Sequence, residues 1–398
     1  MKKSRSLHWM LLGVVAGGVA GFVLGADAAR WFGWLGKLFL TLLQMTIVPL
    51  VVSSIVVGVA SLGDPKALGR AGALTLSYYL TTTLIAVTIG MLMAHLWHPG
   101  LGVAPAHPLS APEKPEVSAV DILLSLVHPN IVQAAAEMKL LPLIVFSLAL
   151  GIALASLGSQ GRTTIEVFSG LQEAIMTIVH WIMRIAPLGV MALVASRLGE
   201  AGGGEAFARE LLALGRYAGS VLSGLVAHAA VLLTLLWAFA RRSPWAYLQE
   251  IGTALATAFS TASSSATLPL TMDGVRRAGV SQAARRLVLP IGATINMDGT
   301  ALYEAAAALF IAQAYGIKLG LYEQILVWIT ATLAAIGAAG IPEAGLVTMV
   351  IVLTAAGLPT EGIGLILAID WFLDRFRTTV NVLGDTVGAA VIDRWIRR

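Results

Sequence analysis

Residues 245–273 read WAYLQEIGTALATAFSTASSSATLPLTMD. Both ends are apolar, while the middle carries Ser260, Thr261, Ser263, Ser264, Ser265 and Thr267. Each apolar half is about a dozen residues, too short to cross roughly 30 Å of hydrocarbon as a helix. The spacing predicts a re-entrant hairpin that enters the membrane, turns at mid-depth and leaves on the same side. The pattern recurs at 323–357, around Gly337-Ala338-Ala339-Gly340-Ile341-Pro342-Glu343-Ala344-Gly345. Between the two, residues 286–315 form a helix interrupted at Asn296-Met297-Asp298-Gly299-Thr300. A last helix, 362–393, carries Asp370, Asp374, Arg375, Arg377, Asn381 and Asp385. Backbone freed at a break at this depth must be buried or line a cavity. A pair of interrupted segments in corresponding positions points to a solute site.

The rest of the chain agrees with a membrane setting. Of its 398 residues, 57% are hydrophobic and 12% charged, with a mean hydropathy of +0.83; soluble domains run at about 25% charged. Before the first hairpin, spanning helices are expected at 8–26, 36–62, 72–97, 119–157, 163–197 and 213–240. The fourth is interrupted at His128–Pro129 and Pro142, and Pro49 and Pro187 should kink the second and fifth. Loops are expected at 98–118, which holds five of the 15 prolines, and at 201–205. The expected fold is therefore all-α, with eight transmembrane helices and two re-entrant hairpins.

Cysteine is absent, which excludes disulfides and thiolate metal sites. Lys2, Lys3 and Arg5 precede the first apolar run, which continues without a clear cleavage site and is expected to remain as a helix. The net charge of +4 lies in short loops and not in a nucleic-acid patch. Eight spans with two hairpins place Lys66, Arg162, Arg241, Arg242, Arg276, Arg277, Arg285 and Arg286 on the side of both termini. By the positive-inside rule that side is cytoplasmic.

Within the last helix, Asp374, Arg377, Thr378, Asn381 and Asp385 share one face over about three turns. Ionisable residues in a membrane mark solute or ion paths by default. A buried ion pair of Asp374 with Arg377 or Arg375 that fixes packing is the alternative, but it does not require Asn381 and Asp385 on the same face. Arginine's planar fork suits a carboxylate and aspartate suits an ammonium, so together they describe a zwitterion with an extra carboxylate. In the broken helix, freed carbonyls and the Asp298 carboxylate are hard ligands suited to Na+. A capped break without an ion would leave Asp298 buried and unpartnered. The serines at 263–265 offer hydroxyls and backbone N–H groups to an anion, or line a packed turn. A hydrolase nucleophile would need a base, and the seven histidines lie in loops or other helices. Glu304, one turn after Thr300, is either a proton carrier or held in a static pair with Arg375.

Four motifs together resemble the dicarboxylate/amino acid:cation symporter family, which includes the glutamate transporters, over nearly the whole chain. They are Ser263-Ser264-Ser265-Ala266-Thr267-Leu268-Pro269, Asn296-Met297-Asp298-Gly299-Thr300, Ala339-Gly340-Ile341-Pro342, and Asp374-Arg375-Phe376-Arg377-Thr378-Thr379-Val380-Asn381-Val382-Leu383-Gly384-Asp385. The resemblance implies a homotrimeric symporter in the cytoplasmic (inner) membrane, not an enzyme, built from inverted repeats and working as an elevator. Residues 1–70 and 119–200 would be scaffold and 98–118 an extracellular loop. Residues 71–97 and 213–398 would be the moving part, with the second hairpin as gate.

The resemblance also implies roles. Substrate would meet Ser263, Ser264, Ser265, Thr300, Asp374, Arg377, Thr378 and Asn381, with the backbone of Ile341 and Gly345 closing over it. Sodium would use three sets. These are Gly292, Asn296, Asn381 and Asp385; Thr294 with backbone from Ala335 and Ile336 to Ala338; and Tyr79, Thr82, Thr83, Asn296 and Asp298. Similar archaeal proteins have arginine at the position of Ala262 and glutamine at that of Glu304. Here Arg375 and Glu304 match the animal carriers, in which the glutamate is linked to H+ symport and K+ antiport. Ala338 and Glu343 depart from the usual threonine and from the usual Gly or Gln of the gate. Similar neutral amino acid carriers lack the arginine at Arg377, so its presence implies L-aspartate or L-glutamate. A proton-coupled acidic amino acid or dicarboxylate symporter and an anion channel are the alternatives.

Overall fold

The computed structural model describes residues 3–25, 27–60, 65–102, 124, 126–201, 204–337 and 344–396. Every regular element among them is helical. Residues 103–118 of the expected loop at 98–118, and the turn residues Ala338 to Glu343, including Ile341, lie outside the described residues.

The first half comprises α1 (Lys3–Leu24), α2 (Asp27–Ala60), α3 (Pro65–Trp97), α4 (Ile131–Ala136), α5 (Leu140–Ser156), α6 (Ser159–Arg184), α7 (Ala186–Ala201) and α8 (Gly204–Leu235). The fourth expected span resolves into α4 and α5. Asn130 caps α4, its side chain accepting from the backbone N–H groups of Val132 and Gln133 at 3.0 and 3.1 Å. Pro142 does not interrupt a helix: it sits in the first turn of α5, where an N–H has no intrahelical partner to lose. The fifth span is broken between α6 and α7 with a 56° bend, and Pro187 is the second residue past the break. By length and hydropathy, Asp27–Ala60, Arg70–Trp97 and Leu211–Ala240 are each able to span alone, and α6 with α7 qualifies as one bent span.

A π-helical turn, Leu236–Ala240, closes α8 and ends at Arg241 in the left-handed region. Pro244 then starts α9 (Pro244–Thr261) from its first position, where proline is pre-organised for a helix. Ala262 takes φ 50° and Ser263 caps α10 (Ser264–Arg277), so two residues make the hairpin tip. The arms are 18 and 14 residues, roughly 27 and 21 Å at 1.5 Å per residue. They exceed the dozen expected because Ser260, Thr261 and the residues after the tip stay helical, yet remain shorter than the hydrocarbon. The remainder is α11 (Gln282–Ile295), α12 (Asp298–Ala314), α13 (Leu321–Gly337), α14 (Ala344–Ala355) and α15 (Ile363–Ile396).

Every residue of α12 except Gln313 is buried, so this helix has protein on all sides. It is packed by α3, α8, α13, α14 and α15. α15 in turn touches both arms of the first hairpin, both halves of the broken helix and α14. α1 and α2 instead pack chiefly on α7, with α5 and α6 also on α2.

The approach of α3 to α12 depends on Gly90. A Cβ there would meet the Leu302 carbonyl, with that residue's Cα only 3.1 Å away. Gly90→Ala is therefore expected to destabilise the protein by about 1–3 kcal/mol, because backbone must shift to admit it. Gly170, which has nothing within 4 Å, provides the control: Gly170→Ala should be neutral or stabilising by up to about 1 kcal/mol. Thermal unfolding of the two purified variants in detergent reads both signs.

Candidate functional site

The site is assembled at the gap between α11 and α12. Asn296 and Met297 leave helical geometry, at φ −92°, ψ 82° and φ −109°, ψ 50°. The first turn of α12 then lacks intrahelical partners, and α15 supplies one. Asn381 Oδ1 accepts from the Gly299 N–H at 2.8 Å, while its amide nitrogen reaches Met297 Sδ at 3.2 Å and Thr300 Oγ1 at 3.3 Å. One turn along α15, Asp385 Oδ1 accepts from Asn296 Nδ2 at 2.9 Å. The break is thus held by two side chains four residues apart on one face, as their spacing predicted.

Around the break lies a buried set of oxygen donors. Asp298 is fully buried and its Oδ1 accepts from Thr83 Oγ1 of α3 at 2.7 Å. A Cβ on Gly292 would collide with both Asp385 Oδ1 and the Tyr79 hydroxyl, so a close-packed pair of oxygens faces that glycine. The Tyr79 hydroxyl donates to the Val288 carbonyl at 2.9 Å. Asn296 Oδ1 and the Tyr78 hydroxyl are buried without a hydrogen-bond partner among the described residues. A buried amide oxygen with no donor, beside two carboxylates, has the chemistry of a hard-cation ligand. Tyr79, Thr83, Gly292, Asn296, Asp298, Asn381 and Asp385 are therefore brought together. Thr82 and Thr294 hydrogen-bond within their own helices, to Tyr79 and Ile291 carbonyls. Ala335 and Ile336 lie at the end of α13, which packs on α11, and Ala338 is outside the described residues.

Beside the oxygen cluster sits a second charged group. Arg377 is fully buried. Its Nη2 donates to Asp374 Oδ1 at 2.8 Å, and Nη1 lies 3.1 Å from Asp370 Oδ1 in an ion pair that falls short of an aligned hydrogen bond. Its Cζ stands 3.9 Å from the centre of the Tyr303 ring. Gly345 permits α14 to pass over the guanidinium, since a Cβ there would be 2.8 Å from Nη1. Thr300 and Thr378 are buried on the facing helices, as are Ser263 and Ser264 at the first hairpin tip, while Ser265 is exposed. Ser263 accepts from the Ala266 N–H at 3.2 Å, so one hydroxyl acts as a cap.

Glu304 does not pair with Arg375. It accepts a hydrogen bond from Thr348 of α14, which links the second hairpin to α12. Arg375 instead donates to the Phe259 and Ser260 carbonyls, both at 3.1 Å, at the end of α9. Those are the last carbonyls of a helix, where a cation is favoured. Two members of the cluster were missed as site residues from sequence: Asp370, one turn before Asp374, and His228 of α8, which contacts Asp298. The available signal was that each is an ionisable residue in an apolar helix.

Removal of one partner from a buried ion cluster leaves the others uncompensated. Arg377→Met should destabilise the protein by about 3–5 kcal/mol, and Asp370→Asn in the same chain should restore part of it. A double-mutant cycle on thermal unfolding measures the coupling.

A sequence-family model described as the sodium:dicarboxylate symporter family matches residues 7–395. The chain is 39% identical over 466 residues to excitatory amino acid transporter 1 of Ambystoma tigrinum, with 100% of this chain and 84% of that protein covered. It is 37% identical over 458 residues to excitatory amino acid transporter 3 of Homo sapiens, with 99% and 86% covered. It is also 40% identical over 419 residues to neutral amino acid transporter B(0) of Bos taurus, with 96% and 77% covered.

Proposed function

We propose that this chain, which belongs to the sodium:dicarboxylate symporter family, takes up an acidic amino acid, aspartate or glutamate, together with Na+. It is a membrane transporter and not an enzyme. One observation carries the substrate class: a buried guanidinium shared by two carboxylates beside the break. The cluster holds one positive and two negative groups, so it can exchange partners with a zwitterion. An incoming side-chain carboxylate takes the fork of Arg377, and the released Asp374 takes the ammonium. Each lost internal pair is replaced by an external one, which limits the desolvation cost. In the same proposal Asn381, Thr300, Thr378 and the first-hairpin serines receive the remaining substrate oxygens, and the buried oxygens around Asp298 and Asp385 receive Na+.

Residues 1–70 and 119–200 act as scaffold, and residues 71–97 with 213–398 move as an elevator within a homotrimer in the cytoplasmic membrane, with both termini cytoplasmic. Supporting this division, α1 and α2 pack mainly on α7, while α3 packs on α8 and α12. Glu304 is proposed to carry a proton or answer K+, because it is a buried carboxylate tied by Thr348 to the gate hairpin.

The similarity to a neutral amino acid transporter supplies the rival substrate class, and the buried arginine argues against it. Uptake into proteoliposomes with independent Na+, pH and K+ gradients decides. Na+-driven concentration of L-aspartate or L-glutamate is expected. Uptake driven by a pH gradient without Na+ would identify a proton-coupled relative, and uptake that saturates only weakly and never exceeds equilibrium would identify a channel. Arg377→Thr should lower apparent affinity for the acidic substrate at least about 100-fold, since two charge-assisted hydrogen bonds are lost. Glu304→Gln should remove dependence on internal K+ and external pH. Parental dependence in that variant would dismiss Glu304 as the coupling group.

A further inference from the structure

Asp298 has two carboxylate oxygens, and Thr83 satisfies only one of them, Oδ1. The other oxygen, Oδ2, lies 3.0 Å from Nε2 of His228. Both side chains are fully buried. His228 belongs to α8, Thr83 to α3 and Asp298 to the start of α12, so two neighbouring helices clasp the carboxylate from opposite oxygens. A carboxylate only accepts, so the ring nitrogen that faces it carries the hydrogen. The other ring nitrogen, Nδ1, is buried with no hydrogen-bond partner among the described residues.

We propose that His228 is a positioning residue for a cation bound at Asp298. Its Nε2–H satisfies Oδ2 and, with Thr83 donating to Oδ1, fixes the carboxylate plane next to the helix break, where the Asn296 amide oxygen is left without a donor. A single N–H donor orders the carboxylate through one oxygen and leaves its charge to be met by a cation. A lysine or arginine there would neutralise Asp298 and close the site; a purely apolar residue would leave one oxygen buried and unpaired, and the carboxylate free to turn. Outer-shell partners of this kind typically contribute about 10–100-fold to cation affinity. The inference rests on the reading of Asp298 as a sodium ligand.

The test uses purified protein and NaCl alone, with choline chloride holding ionic strength constant, so that transport is not the readout. Thermal stabilisation is followed against Na+ concentration for the parent, His228→Gln, His228→Leu and Asp298→Asn. Gln places an amide N–H near the position of Nε2; Leu removes the donor at similar volume. His228→Leu is expected to raise the Na+ midpoint about tenfold or more, His228→Gln to stay within about twofold of the parent, and Asp298→Asn to lose most of the response. Should the leucine variant keep the parental midpoint while Asp298→Asn loses its response, the positioning role is overturned and the sodium site stands. Equal displacement of the Gln and Leu variants would reduce His228 to a packing residue and also overturn it. A parental response in Asp298→Asn would overturn the sodium reading, and the role of His228 with it. If His228→Leu is too unstable to purify, the Gln variant still decides, because a midpoint shifted tenfold despite its retained N–H contradicts the proposal.

Discussion

A guanidinium with no access to solvent has to be balanced inside the protein, and the rest of this structure is arranged around that requirement. Arg377 is buried on a 34-residue helix, α15, that packs on α3, α8, both arms of the first hairpin, both halves of the broken helix and α14. Its charge is shared by Asp370 and Asp374 on the same helix and by the face of Tyr303 on α12. The pairing costs desolvation whatever the geometry. A fold built only for stability would do as well with apolar side chains at these positions, so retention of three charges in one helix face is an argument for a working site.

The broken helix follows from the same economy of partners. A gap of two residues frees backbone groups that hydrocarbon cannot satisfy. Here the side chain of Asn381 takes the Gly299 N–H, and Asp385 accepts from the side-chain amide of Asn296, the first residue of the gap. The helix that holds the buried arginine therefore also holds the gap open. Distortion at either point is felt at the other through a rigid rod about two turns long, which ties the arginine cluster to the helix break.

Much of this was legible in the sequence. Hydropathy gave the class, the polar centre of 245–273 gave the first hairpin, and Asn-Met-Asp-Gly-Thr gave the break. The face formed by Asp374, Arg377, Asn381 and Asp385 needed only helical periodicity. What stayed hidden depended on three-dimensional pairing. Nothing local says that Arg375 turns to the carbonyls of Phe259 and Ser260 instead of to Glu304, since the residues are over a hundred positions apart. Pro142 and Pro187 signalled disruption, but a proline starts a helix as readily as it breaks one, and both stand in first turns. His228 drew no site reading because its partner is 70 positions away.

The clasp on Asp298 bears on how the protein is made. Its carboxylate joins residues separated by 215 and 70 positions, and both partners precede it in the chain. Synthesis proceeds from the N-terminus, so Thr83 and His228 leave the ribosome before Asp298 does. An acidic group that would otherwise enter the bilayer alone can arrive among donors already in place, which makes the order of residues along the gene part of how a costly charge is inserted.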